Sequence, residues 1–290
     1  MTINVESKLR VAANRCRETH EKCMLILTDA FLRERGWIKV HAAEALLDLG
    51  ERTAVCNEFP TKKESWEGSS QLGLWRLNYA CSEDQVEKQF WMACIEQYYT
   101  NENGPFRLNA LESLCKLSFA AGGQTLQMIS RDASESSQAI APFALWALHL
   151  GGNRRSASLL GEMISSHDPA IRMLSAFALR WIRSDEQSAL KALAERADLE
   201  SPNSPAYPFI LSSALSLNAS AASAEKWKRE LLLILTEGEG PARYEVCQAL
   251  KNGFTKDDLH TLESILDHSE TDVRIGAATA ICHLFERSGF

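Results

Sequence analysis

The sequence predicts an all-α fold, an α-solenoid of about eight stacked helix-turn-helix repeats. A nine-residue helical pattern recurs eight times along the 290 residues. Its copies start 31 to 37 residues apart, a spacing that belongs to helical repeats. The stretches between copies carry apolar residues three and four apart and lack the β-branched runs of strands.

The pattern runs apolar, basic, two variable, small, small, variable, small, leucine. It reads IKVHAAEAL from Ile38, FRLNALESL from Phe106, IAPFALWAL from Ile140 and IRMLSAFAL from Ile171. It continues as YPFILSSAL from Tyr207, ARYEVCQAL from Ala242 and VRIGAATAI from Val273. WRLNYACSE from Trp75 fits six columns and then departs at Ser82 and Glu83. Partner helices lie between the copies, as in EDQVEKQFWMACIEQYY, SASLLGEMISS, EKWKRELLLILTE and DDLHTLESILDH, so each unit reads as such a helix A, a turn and a helix B that carries the copy. The turns NENGP, HDP, EGEGP and SETD place Gly, Pro or a capping Asp where a helix must begin. One helix pair cannot cover its own apolar face, so neighbours are expected to stack, with small residues such as Ala42, Ala43, Ser175 and Ala176 letting helix axes approach.

A single solenoid over 1–290 is therefore expected. Residues 1–35 should supply N-terminal capping helices and the first helix A, since an end repeat would otherwise expose apolar surface. Residues 52–73, with Pro60 and Gly68 in a polar run, read as an irregular insertion. Residues 199–208 hold three of the eight prolines and read as an inter-repeat loop.

HDPAIRMLSAFALRWI and SETDVRIGAATAICHLF resemble HEAT repeats, in particular the short variety of the phycobilisome-lyase type, with an Asp turn, Val-Arg or Ile-Arg, and an Ala-rich helix. The resemblance covers about residues 19–287 and implies a right-handed solenoid. It says little of activity, because such repeats serve scaffolds, adaptors, bilin lyases and alkyl-base DNA glycosylases. It also implies that the basic residue of column two ties the turn to its neighbour. Lys39, Arg76, Arg107, Arg172, Arg243 and Arg274 occupy that column, while Ala141 and Pro208 depart from it.

Thirty-one basic against thirty-eight acidic residues give a net charge of −7, which opposes nucleic-acid binding unless a local basic patch forms. The longest apolar stretch, 139–148, is too short to span a bilayer, so no membrane partner is expected. The eight cysteines form no CxxC pair and no zinc-finger spacing, so no metal is expected and most should be buried thiols. With no basic-then-apolar leader at the start, a reducing cytoplasm is the expected location.

In stacked repeats the B helices, which here are the copies themselves, line the concave side, so their columns four, seven and eleven share a face. That face reads His41, Glu44, Asp48; Asn78, Cys81, Gln85; Asn109, Glu112, Lys116; Phe143, Trp146, Leu150; and Leu174, Phe177, Trp181. The ligand-binding candidates are His41, Glu44, Trp75, Asn78, Asn109, Glu112, Trp146 and Trp181. The aromatics are either core or the lining of a groove.

No HExxH, GxSxG, P-loop or strand-linked GxGxxG is present, so no catalytic residue is assigned and no cofactor is expected. The expected function is a non-enzymatic scaffold holding a protein or peptide partner on the concave face. One alternative is a small-molecule or carbohydrate binder, or a lyase-like enzyme, using a groove of Trp, Glu and His. A second is a DNA-binding array like the alkyl-base glycosylases. The oligomeric state is not legible.

Overall fold

The computed structural model describes residues 5–58, 66–218, 222–237, 243, 245, 246, 249 and 255–288, with their side chains from 14 to 287. The described residues are helical or in turns and contain no strand. By internal contact the chain divides into two compact units, 1–60 with 250–290, and 61–249.

The second unit holds α4 (Ser70–Cys81), α5 (Gln85–Thr100), α6 (Arg107–Lys116), α7 (Gly123–Ser134) and α8 (Ala141–Leu150). It continues with α9 (Arg155–Met163), α10 (Pro169–Trp181), α11 (Gln187–Leu199), α12 (Tyr207–Leu217) and α13 (Ala224–Glu237). The even-numbered helices carry the repeated pattern, and each packs on the next even one: α4 on α6, α6 on α8, α8 on α10, α10 on α12. The odd helices pack between them as a second layer, so helix pairs stack in chain order as a HEAT-like α-solenoid.

Local sequence sets these helices. Asp168 sits in extended backbone before Pro169 and accepts a hydrogen bond from the Ala170 amide at 2.8 Å, so HDP starts α10. Asp84 caps α5 in the same way through the Val86 amide at 3.1 Å. Small residues bring layers together: a Cβ built on Gly161 of α9 would lie 2.7 Å from the Ala189 Cα of α11. The turn EGEGP and most of the seventh copy lie outside the described residues.

The first unit holds α1 (Val5–Arg33), α2 (Gly36–Asp48), α3 (Arg52–Glu58), a 3-10 turn (Lys256–Asp258), α14 (Leu259–Ile265) and α15 (Thr271–Ser288). Here the first and last copies of the repeat meet. α1 packs on both α2 and α15, and α2 packs on α15. Neighbours in space are thus not always neighbours in sequence, because the Ala-rich faces of α2 and α15 are equally incomplete and cover each other. Val40, Ala43, Ile275, Ala278 and Ile281 are fully buried there. Polar pairs rim this core: His41 Nδ1 lies 3.1 Å from Asp272, His283 Nε2 lies 2.9 Å from Asp48, and Thr19 donates to Glu263 at 2.8 Å. Cys23 and Cys282 are free thiols fully buried between α1 and α15.

Candidate functional site

The basic column does local work. Arg76 reaches Ser113 on the next even helix at 3.4 Å, and Arg107 donates to the Tyr99 carbonyl at 3.0 Å and to Asp132. Arg172 holds the carbonyls of Ser166 and His167 in the turn before its own helix, and the Glu200 carboxylate beyond α11. Lys39 lies 3.6 Å from Glu58, Arg274 donates to Thr271 at 2.9 Å, and the Arg243 side chain is buried.

The eight ligand-binding candidates divide between the units: His41 and Glu44 belong to the first, the other six to the second. His41 packs on Trp37 and faces Asp272, and Glu44 is half-buried. Trp75 meets Tyr98 edge-on at 5.1 Å, Asn78 is buried in α4, and Asn109 is half-buried on α6.

Glu112, Trp146 and Trp181 converge. Trp146 is 2% exposed and packs on Phe143, Phe177 and Trp181, stacking on Trp181 at 5.6 Å and 25°. The aromatic strip is therefore mostly core, and Trp181, at 44% exposure, is its open end. Charges from α6 and from α10 itself gather at that end. The Lys116 ammonium lies 2.7 Å from Glu112 and 5.6 and 5.2 Å from the Phe177 and Trp181 ring centres, inside cation–π range. Arg180 lies 5.3 Å from the centre of the Phe177 ring and pairs with Glu245.

Glu245 is the residue that the sequence reading missed. It occupies column four of the seventh copy, so carrying the column rule past Trp181 would have reached it. Burial pushes its carboxyl above the usual carboxylate range; Arg180 and Lys116 pull it down, and Glu112 adds to the rise. Four charges from α6, α10 and the seventh copy thus act as one group beside a half-exposed tryptophan. No group of three or more His, Cys, Asp or Glu able to hold a metal occurs among the described residues.

No family model and no curated protein matches the chain. Among solved structures, human deoxyhypusine hydroxylase in complex with glycerol is similar at 16% identity, covering 96% of this chain and 99% of that one, with a TM-score of 0.43. An engineered protein is similar at 13% identity, covering 93% and 94%, with a TM-score of 0.30. The expected non-enzymatic scaffold with a partner on the aromatic strip is corrected: Phe143 and Trp146, meant to hold that partner, are packed inward as core. No helix among the described residues is long and apolar enough to cross a membrane.

Proposed function

We propose that the 61–249 unit carries an acid–base enzyme site for a small organic acid with a flat apolar part, acting in the cytoplasm. The observation that supports it is the geometry of Glu245, a buried carboxyl raised by burial above the ordinary carboxylate range and paired with Arg180, in one charge cluster with Lys116 beside Trp181. Buried carboxyls raised in this direction are a recurrent feature of proton-transfer sites. In this reading the flat part of the substrate lies on Trp181. Its carboxylate takes the place of Glu112 on Lys116, and Glu245 gives a proton to a basic atom of the substrate and later recovers it. Arg180 steadies Glu245 while it is ionised. Within the helical-repeat resemblance, the phycobilisome-lyase type is the finer assignment; its enzymatic members agree with an enzyme in general terms and supply no residue here.

The test uses benzoate as the flat acid and the full chain. Tryptophan fluorescence should be quenched saturably in the natural protein, and far less in Lys116→Met and Trp181→Leu. Difference infrared spectra against Glu245→Gln should show a carboxyl band that persists above the pH where ordinary carboxylates ionise. Equal quenching in all three proteins, or a Glu245 band lost with the ordinary carboxylates, overturns the proposal.

A further inference from the structure

A cleft of about 580 Å³ lies where α5 ends and the 101–106 turn leads into α6, within the size range of small-molecule sites. Its lining includes Gln97, Tyr98, Asn101, Gly104 and Phe106. No Lys, Arg, Asp, Glu or His lines it, so it offers nothing to a charged group. What it offers is two ring faces and two side-chain amides. The Tyr98 ring is held edge-on by Trp75, 5.1 Å away at 83°.

The amides are open to a ligand. The Thr100 hydroxyl turns away to the Glu96 and Gln97 carbonyls. The side chains of Gln97 and Asn101 are exposed and make no hydrogen bond with any described residue. Gly104 sets the position of Asn101: a Cβ there would lie 3.0 Å from the Asn101 carbonyl oxygen and 3.2 Å from its Nδ2. The turn closes through the Gly104 amide on that same carbonyl at 2.9 Å. A larger residue at 104 would press on this carbonyl and amide, so glycine lets the chain pass close to Asn101.

We infer that this cleft binds an uncharged, planar heteroaromatic ring, such as the base of a nucleoside. Aromatic faces hold the ring by stacking, which tolerates any base. A side-chain amide presents a donor and an acceptor together and matches the paired acceptor and donor on the edge of such a ring. The absence of cations in the lining separates this ligand from a nucleotide, whose phosphate would need one. The site is independent of the acid–base cluster around Glu245.

Calorimetric titration of the full chain with adenosine and cytidine tests it, with adenosine monophosphate and methyl glucoside as comparisons. Saturable nucleoside binding is expected, no tighter for the monophosphate and not matched by the glucoside. Gln97→Ala and Asn101→Ala remove exposed side chains, so their circular dichroism should be unchanged while affinity falls about tenfold. Gly104→Ala should weaken binding in the same direction. Absence of nucleoside binding, tighter binding of the monophosphate, binding of the glucoside instead, or full affinity in Asn101→Ala would each overturn the inference.

Discussion

Arg172 spans from the turn in front of its own helix to the carboxylate of Glu200, donating Nε and Nη2 to the two oxygens at 2.9 and 2.6 Å. Its Nη1 donates to the carbonyls of Ser166 and His167 at 2.8 and 3.0 Å. One buried guanidinium thus closes the start of α10, and Glu200, also paired with Arg196, closes the end of α11. Burial alone would raise the Glu200 carboxyl, but Arg172, Arg196 and Ser204 outweigh it and hold the group at about 2.

Because that value lies below the ordinary carboxylate range, ionised Glu200 stabilises the fold fully above about pH 4.5. The contribution is lost as pH falls from there towards about 2. Its size is on the order of 3 kcal/mol. Glu200→Gln should flatten the acid limb of a stability-against-pH curve measured by urea unfolding. At pH 7, Arg172→Leu should cost about 2–4 kcal/mol, because Glu200 keeps only Arg196 and the Ser166 and His167 carbonyls lose their donor. Parallel acid limbs in the natural protein and Glu200→Gln would refute the assignment.

Trp146 and Trp181 stack on each other yet should behave differently. Trp146 is enclosed by Phe143 and Phe177, so Trp146→Ala should cost about 3–5 kcal/mol of unfolding free energy. Trp181 keeps one side in water, and Trp181→Ala should cost less than about half as much. Equal losses in chemical denaturation would mean that Trp181 is as enclosed as its neighbour.

Gly161 sets how closely α9 and α11 can approach. A Cβ there would come within 2.9 Å of the Ala189 Cβ as well as striking its Cα, and helix backbone cannot yield as a flexible side chain does. Gly161→Ala should therefore destabilise by roughly 1–3 kcal/mol despite the better helix propensity of alanine. A gain in melting temperature would show that the two helices move apart freely.

The repeat was legible because each even helix must present small residues at fixed columns to its neighbours, and period alone records that. Asp168 and Asp84 could be read as helix starts for the same reason, as capping is local. The packing of α2 on α15 was not legible: the stacking pattern says which face needs cover and leaves open which helix supplies it. Nor does the pattern separate Trp146 from Trp181, which share a face four columns apart and differ only in what packs beyond them. Glu245 lay on the right column but acts through Arg180 on α10, a pairing that skips α12's copy of the repeat and leaves no trace in sequence spacing.

Glu245 gives the prediction with the opposite sign to Glu200. Burial raises its carboxyl, so between the ordinary carboxylate range and its raised value the folded chain keeps a proton that the unfolded chain has released. Its protonated form supports the fold below the ordinary range, and that support fades as pH rises through the raised value. Glu245→Gln, which keeps an oxygen for Arg180 and cannot ionise, should therefore gain on the natural protein as pH rises above the ordinary carboxylate range. Glu245→Leu should lose stability across the same range, because Arg180, its side chain only 11% exposed, is then left against Phe177 without its carboxylate partner. Urea unfolding of the three proteins at several pH values reads both effects. A Glu245→Gln curve that falls further behind the natural protein with rising pH would show that the ion pair with Arg180 outweighs burial, and that Glu245 is an ordinary ionised carboxylate.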